Sequence, residues 1–194
     1  MQTHRFTMPR ASKTPRERLV ETAEALFCAE GVHGVGIDRV LATAGVAKAT
    51  LYKHFRSKDD LVLAALRRLD ERGRCDLARA VERAADDPRE RFIALADVVA
   101  RGAGNGCFFV LAAQEFPDGD HPIHAAAREH KRLMRSWLAD LAREAGVADP
   151  EASSSAALLV VDGLYAASAL GPEDRERATT AARTVLERLV AAPG

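Results

Sequence analysis

The stretch that decides the fold runs from Gly36 to Leu61 and reads GIDRVLATAGVAKATLYKHFRSKDDL. It predicts a short helix, a sharp turn at Gly45, a second short helix, and a third helix that begins after Ser57. Glycine suits the turn because it adopts positive φ at little cost. Two short helices joined in this way form a helix-turn-helix, a motif that places its second helix in the major groove of DNA.

Apolar residues of this stretch are expected to close a small core against the first helix, where Leu19, Ala23, Leu26 and Phe27 form one stripe. The expected core residues are Val40, Leu41, Ala44, Val46, Leu51 and Phe55. With these buried, the residues left facing outward are Lys48, Ala49, Thr50, Tyr52 and Lys53. Lys48 can donate to guanine O6 and N7, and the Thr50 methyl can meet a thymine methyl.

The pattern Thr50-Leu51-Tyr52-x-His54-Phe55-x-x-Lys58 resembles the hallmark of the tetracycline-repressor (TetR) family of bacterial regulators. The resemblance covers about Thr14 to Leu66 by motif, and the rest of the chain only by helical architecture. It implies base or groove contacts from Lys48, Thr50 and Lys53. It implies phosphate contacts from Tyr52, His54 and Lys58, and the expected DNA-binding set also includes Ala49 and Arg39.

Two positions depart from the family pattern. Gly36 stands where a serine or threonine is common, so one side-chain phosphate contact is expected to be missing. Leu41 stands where a small residue is usual, which predicts a slightly wider crossing of the two short helices. Taken singly, Tyr52 and Phe55 could be core aromatics and the lysines a solvated face.

Charge is divided unevenly along a chain whose formal net charge is zero. Residues 1–58 hold 10 Lys+Arg and 5 Asp+Glu, a net of +5, whereas residues 59–194 hold 18 and 23, a net of −5. A basic front on an acidic body is expected when only one end meets a polyanion. A solvated basic helix would give the same split.

The cysteines and the apolar runs predict a soluble cytoplasmic protein without a membrane partner. Cys28, Cys75 and Cys107 are widely spaced and odd in number, which argues against a disulfide framework. Residues 1–12 lack the apolar segment of a signal peptide. The longest apolar run, Ala156 to Val161, is too short to span a bilayer.

Helical periodicity and capping signals predict an all-α protein of about nine helices. Thr14-Pro15-Arg16-Glu17 is a capping box, Asp87-Pro88-Arg89-Glu90 repeats the device, and Gly31 and Gly146 mark helix ends. The predicted helices span residues 15–30, 37–43, 48–54, 58–84, 88–102, 106–116, 122–145, 150–170 and 172–191. The predicted domains are a basic disordered arm (1–13), a three-helix DNA-binding head (14–60) and a larger ligand-binding and dimerisation body (61–194).

The last two predicted helices are the candidates for a dimer interface, because one head alone binds DNA weakly and without a half-site spacing. Four such helices, two from each subunit, form the interface that the resemblance implies. The alternative is that both helices only complete the core of one subunit. The expected interface residues are Leu158, Leu159, Gly163, Ala166, Val185, Leu186 and Leu189.

Between head and interface, aromatic residues amid many alanines predict a cavity for a small, largely apolar effector. The expected lining residues are Phe108, Phe109, Gln114, Phe116, Trp137, Asp162 and Tyr165, and Glu115 is a further polar candidate. Plain core packing is the alternative for the aromatics. Asp162 could instead pair with an arginine across the interface. Gly73, inside the long fourth helix, is either a flex point or a packing notch.

No metal site or cofactor is expected. His121, His124 and His130 lack the spacing and the accompanying ligands of a metal site. An enzyme is a rival interpretation, but the sequence has no GxSxG, HExxH, phosphate loop or acid–base pair. The sequence therefore predicts a homodimeric transcriptional regulator, a repressor that binds a palindromic operator and is released by an effector. A regulator without small-molecule control is the nearer rival, and a tightly filled body would favour it.

Overall fold

The computed structural model describes residues 13–104 and 106–191. The secondary structure of these residues is entirely helical, as predicted, and comprises α1 (Pro15–Glu30), α2 (Ile37–Ala44), α3 (Lys48–His54), α4 (Lys58–Glu82), α5 (Pro88–Gly102), α6 (Phe108–Glu115), α7 (Pro122–Glu144), α8 (Pro150–Leu170) and α9 (Pro172–Ala191). Within the described ranges, each predicted helix is present and ends within two residues of its predicted bounds. The predicted basic arm lies outside the described residues, except for Lys13.

Local capping explains why the helix starts could be predicted. At α1 the Thr14 hydroxyl accepts from the Glu17 amide at 3.2 Å, and the Glu17 carboxylate accepts from the Thr14 amide at 2.7 Å. The Asp87 carboxylate accepts from two amides of the first turn of α5, and Ser57 caps α4. These bonds satisfy amides that the helices leave without partners.

Two hydrophobic cores lie along the molecule, and α4 and α7 run through both. The first core joins α1, α2 and α3 to the start of α4, to α6 and to the start of α7. The second joins the end of α4 to α5, the rest of α7, α8 and α9. The head is therefore packed directly against α6 and α7 of the body.

Helix α8 corrects one expectation from the sequence. Its 21 residues contain a window with mean hydropathy 1.3, so by length and composition this helix could cross a membrane. The uninterrupted apolar run in the sequence did not reveal this window, because Asp162 and Gly163 divide it. In the structure 33% of that window is buried, and α8 packs between α7 and α9. Its apolar character serves at least in part to build the second core.

Candidate DNA-binding site and ligand cavity

The helix-turn-helix is built by α2, α3 and the turn at Gly45. Gly45 is left-handed, with φ 62° and ψ 44°, which confirms the positive φ that the turn was expected to need. The predicted core of the motif is confirmed, since all six of its residues are at most 9% exposed. Buried α1 residues Leu19, Ala23 and Phe27 complete this core. The orientation of α3 is thus fixed by its packing against α1 and α2.

The outward face of α3 carries the predicted DNA-binding residues. Lys48, Ala49, Tyr52, Lys53 and His54 are exposed, and Thr50 is half-buried. Tyr52 is 53% exposed although the ring is large and apolar, so packing within the chain does not account for it. Two lysines, a phenol and an imidazole on one short exposed helix can donate to phosphate oxygens and base edges. Their contacts with DNA stay a prediction.

Two of the predicted DNA-binding cations have carboxylate partners in the structure. Lys48 Nζ lies 3.5 Å from Asp38 Oδ1, and the Arg39 guanidinium forms two hydrogen bonds with the carboxylate of Glu30. All four side chains are more than a third exposed. Exposed ion pairs contribute little to stability, so either cation can exchange its partner for a phosphate at small cost.

Lys58 has a different environment from the other predicted phosphate contacts. Its ammonium donates to the carbonyl oxygen of Val32 at 2.6 Å and lies 5.9 Å from the centre of the Phe27 ring. The side chain thereby joins the start of α4 to the segment between α1 and α2. A contact between Lys58 and a phosphate requires this bond to be shared or exchanged, which the sequence pattern did not indicate.

Glu115, at the end of α6, holds the same segment from the body side. Its carboxylate accepts from the Val32 amide at 2.7 Å and lies 3.4 Å from the His33 amide nitrogen. Gly31 makes this approach possible, because it has φ 76° and a Cβ there would collide with the Glu115 carboxylate. The sequence placed Glu115 among the polar groups of the cavity, and the structure places it at the head instead.

A cavity of about 410 Å³ lies between the two cores. The head contributes Ala25, Cys28 and Ala29 of α1 to its wall. The body contributes residues of α4, the α5–α6 connection, the start of α6, α7 and α8, among them Leu69, Leu77, Cys107, Met134, Leu158 and Val161. The volume is within the range of small-molecule sites. The tightly filled body that would have favoured control without a ligand is therefore not found.

Three of the seven predicted cavity residues line this cavity, and four do not. Phe108, Phe109 and Tyr165 are in its wall. Gln114 is exposed, and Phe116 packs against the rings of His33 and His121 near the head. Trp137 lies in a separate groove with Arg91 and Glu144. Asp162 pairs with Lys131 of the same subunit behind the wall. The prediction that these four line the cavity is wrong for the side chains as the structure places them.

Polar groups that the sequence did not single out line the cavity instead. Arg74 and Lys131 reach it, as does His130, whose ring stacks on Phe109 with 3.6 Å between centroids. His130 Nδ1 lies 2.7 Å from Asp70 Oδ1, and Arg74 donates to both Asp70 oxygens at 2.9 Å. Gly73 has open space where a Cβ would stand, so no neighbouring group packs against this position. The interpretation of Gly73 as a packing notch is therefore wrong.

Burial shifts the pKa of His130, Cys28 and Tyr165 around the cavity, and hydrogen bonds shift that of Asp70. Burial lowers the pKa of His130, and the hydrogen bond to Asp70 opposes that shift only in part. Although burial alone would raise it, hydrogen bonds from Arg74 and His130 hold the pKa of Asp70 below its ordinary value. Burial raises the pKa of the Cys28 thiol to about 11 and raises that of the Tyr165 phenol. At neutral pH the His130 ring, the Cys28 thiol and the Tyr165 phenol are therefore uncharged.

The histidines considered for a metal serve separate local contacts. His121 caps α7 by accepting from the Ile123 amide at 3.3 Å, and His124 Nδ1 lies 2.8 Å from the Phe116 carbonyl oxygen. His130 pairs with Asp70. Within residues 13–104 and 106–191, no three metal-ligating groups lie together. All three histidines are half-buried.

The predicted interface residues divide into an exposed group and a buried group. Leu159, Gly163, Ala166 and Val185 are exposed, and Leu189 is half-buried. Leu159 is 74% exposed, and Leu170, which the sequence analysis did not include, is 76% exposed. Leu158 and Leu186, also predicted for the interface, are buried in the second core and do not lie on the exposed side of these helices. The interface itself stays a prediction.

The fold, a helix-turn-helix head on a helical body, is shared with known proteins. A profile of the family described as bacterial regulatory proteins, tetR family, matches residues 19–65. The structure is similar to that of SCO4454, a TetR-family transcriptional regulator from Streptomyces coelicolor. The TM-score is 0.82 at 34% identity, over 91% of this chain and 94% of that one. The sav143 protein of Streptomyces avermitilis matches with TM-score 0.76 at 30% identity, over 91% of this chain and 98% of that one.

A curated relative is similar over the head only. The HTH-type transcriptional regulator SAUSA300_2515 of Staphylococcus aureus is 36% identical over 61 residues, which are 31% of this chain and 33% of that protein. The chain thus matches about a third of the length of this relative. Together with the full-length structural matches, the comparisons define the class: the chain belongs to the TetR family of DNA-binding transcriptional regulators, a family that is not enzymatic.

Proposed function

We propose that this protein is a ligand-responsive transcriptional repressor that binds a palindromic operator as a homodimer and is released by a small, largely apolar effector. The proposed operator contacts are Lys48, Ala49, Thr50, Tyr52, Lys53 and His54, with Arg39 and Lys58 beside them. The proposed units are a DNA-binding domain of residues 14–60 and a ligand-binding and dimerisation domain of residues 61–194, acting in the cytoplasm.

The observation that carries this proposal is the position of the cavity. Ala25, Cys28 and Ala29 belong to α1, and α1 also packs against α2 and α3. A molecule in the cavity would therefore touch the head and the body at once. Phe108 and Phe109, at the start of α6, line the cavity, and Glu115 at the end of the same helix holds the segment before α2.

Release of DNA requires that the effector prefer one arrangement of the heads over another. Moving a population from 1:99 to 99:1 takes roughly 5.5 kcal/mol of differential binding. We propose that the effector supplies it by stabilising a position of α1 and α6 in which the two heads no longer match successive grooves. Helix α4, which runs through both cores and follows α3 in the chain, would carry the same movement to the end of the head.

The exposed face of α8 supports the proposed dimer. Leu159, Gly163, Ala166 and Leu170 follow one another at spacings of three or four residues, so they share one side of the helix. Val185 of α9 is also exposed. Small and apolar residues on such a face allow a partner helix to approach closely.

The proposal is tested with a duplex enriched from a random pool and with full-length variants, by fluorescence anisotropy over a range of salt concentrations. Tyr52→Ala and Lys53→Gln should each weaken binding, and Lys53→Gln should reduce the slope of log K against log salt by about one unit. Arg83→Gln is the control, since it removes one exposed charge at the far end of α4. If Tyr52→Ala and Lys53→Gln both bind the duplex as tightly as the unchanged protein, the proposal is contradicted.

A further inference from the structure

The charged groups of the cavity wall are all of one sign. Arg74 and Lys131 are the charged residues among the described residues that line it, and no carboxylate is part of the wall. Their partners, Asp70 and Asp162, lie outside the lining. Each ion pair thus contributes its basic residue to the wall, and its acidic residue lies outside the wall.

Arg74 and Lys131 both have N–H donors that the hydrogen bonds to their carboxylate partners do not use. Arg74 uses Nε and Nη2 to bind Asp70, which leaves the hydrogens of Nη1 available. Lys131 binds one oxygen of Asp162, and an ammonium has three N–H donors. The two ion pairs hold these side chains in place without saturating them, so a ligand oxygen can add to a hydrogen-bonding arrangement that already exists.

The rest of the wall, as far as the described residues form it, offers no counter-charge for a cation. His130 and Tyr165 are uncharged at neutral pH for the reasons given above, and the other lining groups are thiols, glycines and apolar side chains. A charged group in an apolar site is costly unless it is paired. A ligand ammonium would face two cations there, whereas a ligand oxyanion would find two donors of opposite charge.

We propose that the effector is a small organic anion, with a carboxylate or similar oxyanion directed at Lys131 and Arg74 and an apolar body against Phe108, Phe109 and Met134. This inference rests on the proposed function, in which the cavity holds the effector. It adds the charge of that effector and the residues that recognise the charge. Lys131 and Arg74 are then the specificity-determining residues of the cavity.

The test uses two fluorescent dyes that share one skeleton, 8-anilinonaphthalene-1-sulfonate and its neutral counterpart N-phenyl-1-naphthylamine. Both are titrated into the full chain. A charge-assisted hydrogen bond is worth enough that the sulfonate should bind at least about tenfold more tightly than the neutral dye. Equal binding, or tighter binding of the neutral dye, would overturn the inference.

Variants test whether Lys131 and Arg74 cause the preference for the sulfonate over the neutral dye. Lys131→Gln should lower the affinity for the sulfonate by about tenfold and leave that for the neutral dye unchanged, because only the anion uses the ammonium. Lys131→Arg should keep the preference. Arg132→Gln, on the next residue of α7, removes a charge that is exposed and paired with Glu129, and should change neither affinity. Equal losses of affinity for both dyes in Lys131→Gln would contradict the assignment. If Lys131→Gln does not fold, Arg74→Gln repeats the test.

A blocking variant separates this inference from the proposed function. Ala29 is exposed at the cavity wall, so Ala29→Trp should fold normally and narrow the cavity. Both dyes should then bind more weakly. If neither dye responds to Ala29→Trp, the cavity is not the binding site and the proposed function fails with it. If both respond but the anion has no advantage, only the present inference fails.

Discussion

At the scale of single residues, two lysines of the same motif have different partners. Lys53 is exposed on α3. Lys58, five residues later, donates to the Val32 carbonyl and lies over the Phe27 ring. The family pattern alone gives both a role at DNA, whereas the structure gives Lys58 a role in holding α4 against the end of α1.

Lys58→Met should therefore lower the free energy of unfolding, because it leaves the Val32 carbonyl without this partner. A hydrogen bond from a charged donor predicts a loss of about 1–2 kcal/mol. Lys53→Met, the matched change at an exposed position, should cost much less. Urea denaturation measures both, and equal effects of the two variants would argue against the structural role of Lys58.

Cys28 and Cys75 should differ in reactivity. Cys28 lines the cavity with a pKa of about 11, so little thiolate is present at pH 8. Cys75 is exposed on α4. Alkylation by iodoacetamide at pH 8, followed by peptide mass spectrometry, should modify Cys75 first. If Cys28 and Cys75 were modified at the same rate, the protonated state expected for Cys28 would be refuted.

At the scale of elements, α6 links the cavity to the head. The first residues of α6 line the cavity, and its last residue, Glu115, binds the amide of the fully buried Val32. A buried amide without an acceptor costs about 1–3 kcal/mol. Glu115→Ala should lower the stability by that amount, and Gln114→Ala, its exposed neighbour, should not. Thermal and urea unfolding provide the readout, and unchanged stability in Glu115→Ala would show that the link is dispensable.

Gly73 gives a prediction in the opposite direction. It lies in the middle of α4 with open space around the position of a Cβ, so alanine fits without a clash. Alanine is favoured over glycine in a helix interior by up to about 1 kcal/mol. Gly73→Ala should raise the melting temperature, measured on the chain without effector. A lower melting temperature would mean that the position needs the freedom of glycine.

The helices of this chain could be predicted because their signals are local. Thr14 with Glu17 and Asp87 with Pro88 mark helix starts within a few residues of sequence. The cavity was predicted less well, because its residues and their partners meet through packing. Lys131 of the wall pairs with Asp162, and Glu115, which was expected at the cavity, binds the amide of Val32, 83 residues away, instead. Periodicity also could not decide which apolar side of α8 faces inward, and so it grouped the buried Leu158 with the exposed Leu159.

At the scale of the whole molecule, the proposed dimer depends on the exposed face of α8 and α9. Leu159→Glu places a charge on this face and should convert the dimer to a monomer, with loss of operator binding. Val110→Glu is the control, because Val110 is an exposed apolar residue of α6 and is not one of the residues of this face. Analytical ultracentrifugation gives the mass of each variant. A Leu159→Glu protein that stays dimeric would place the interface elsewhere.

If two identical heads read one duplex through α3, sequencing of duplexes selected from a random pool should show the symmetry of the dimer. We expect an inverted repeat with half-site centres about 34–36 Å apart, or a multiple of this, for the full chain. We expect Lys48→Ala to select a repeat changed at one position of each half-site. No enriched sequence, a motif without a repeat, or an identical repeat from Lys48→Ala would contradict reading of the duplex by two identical heads.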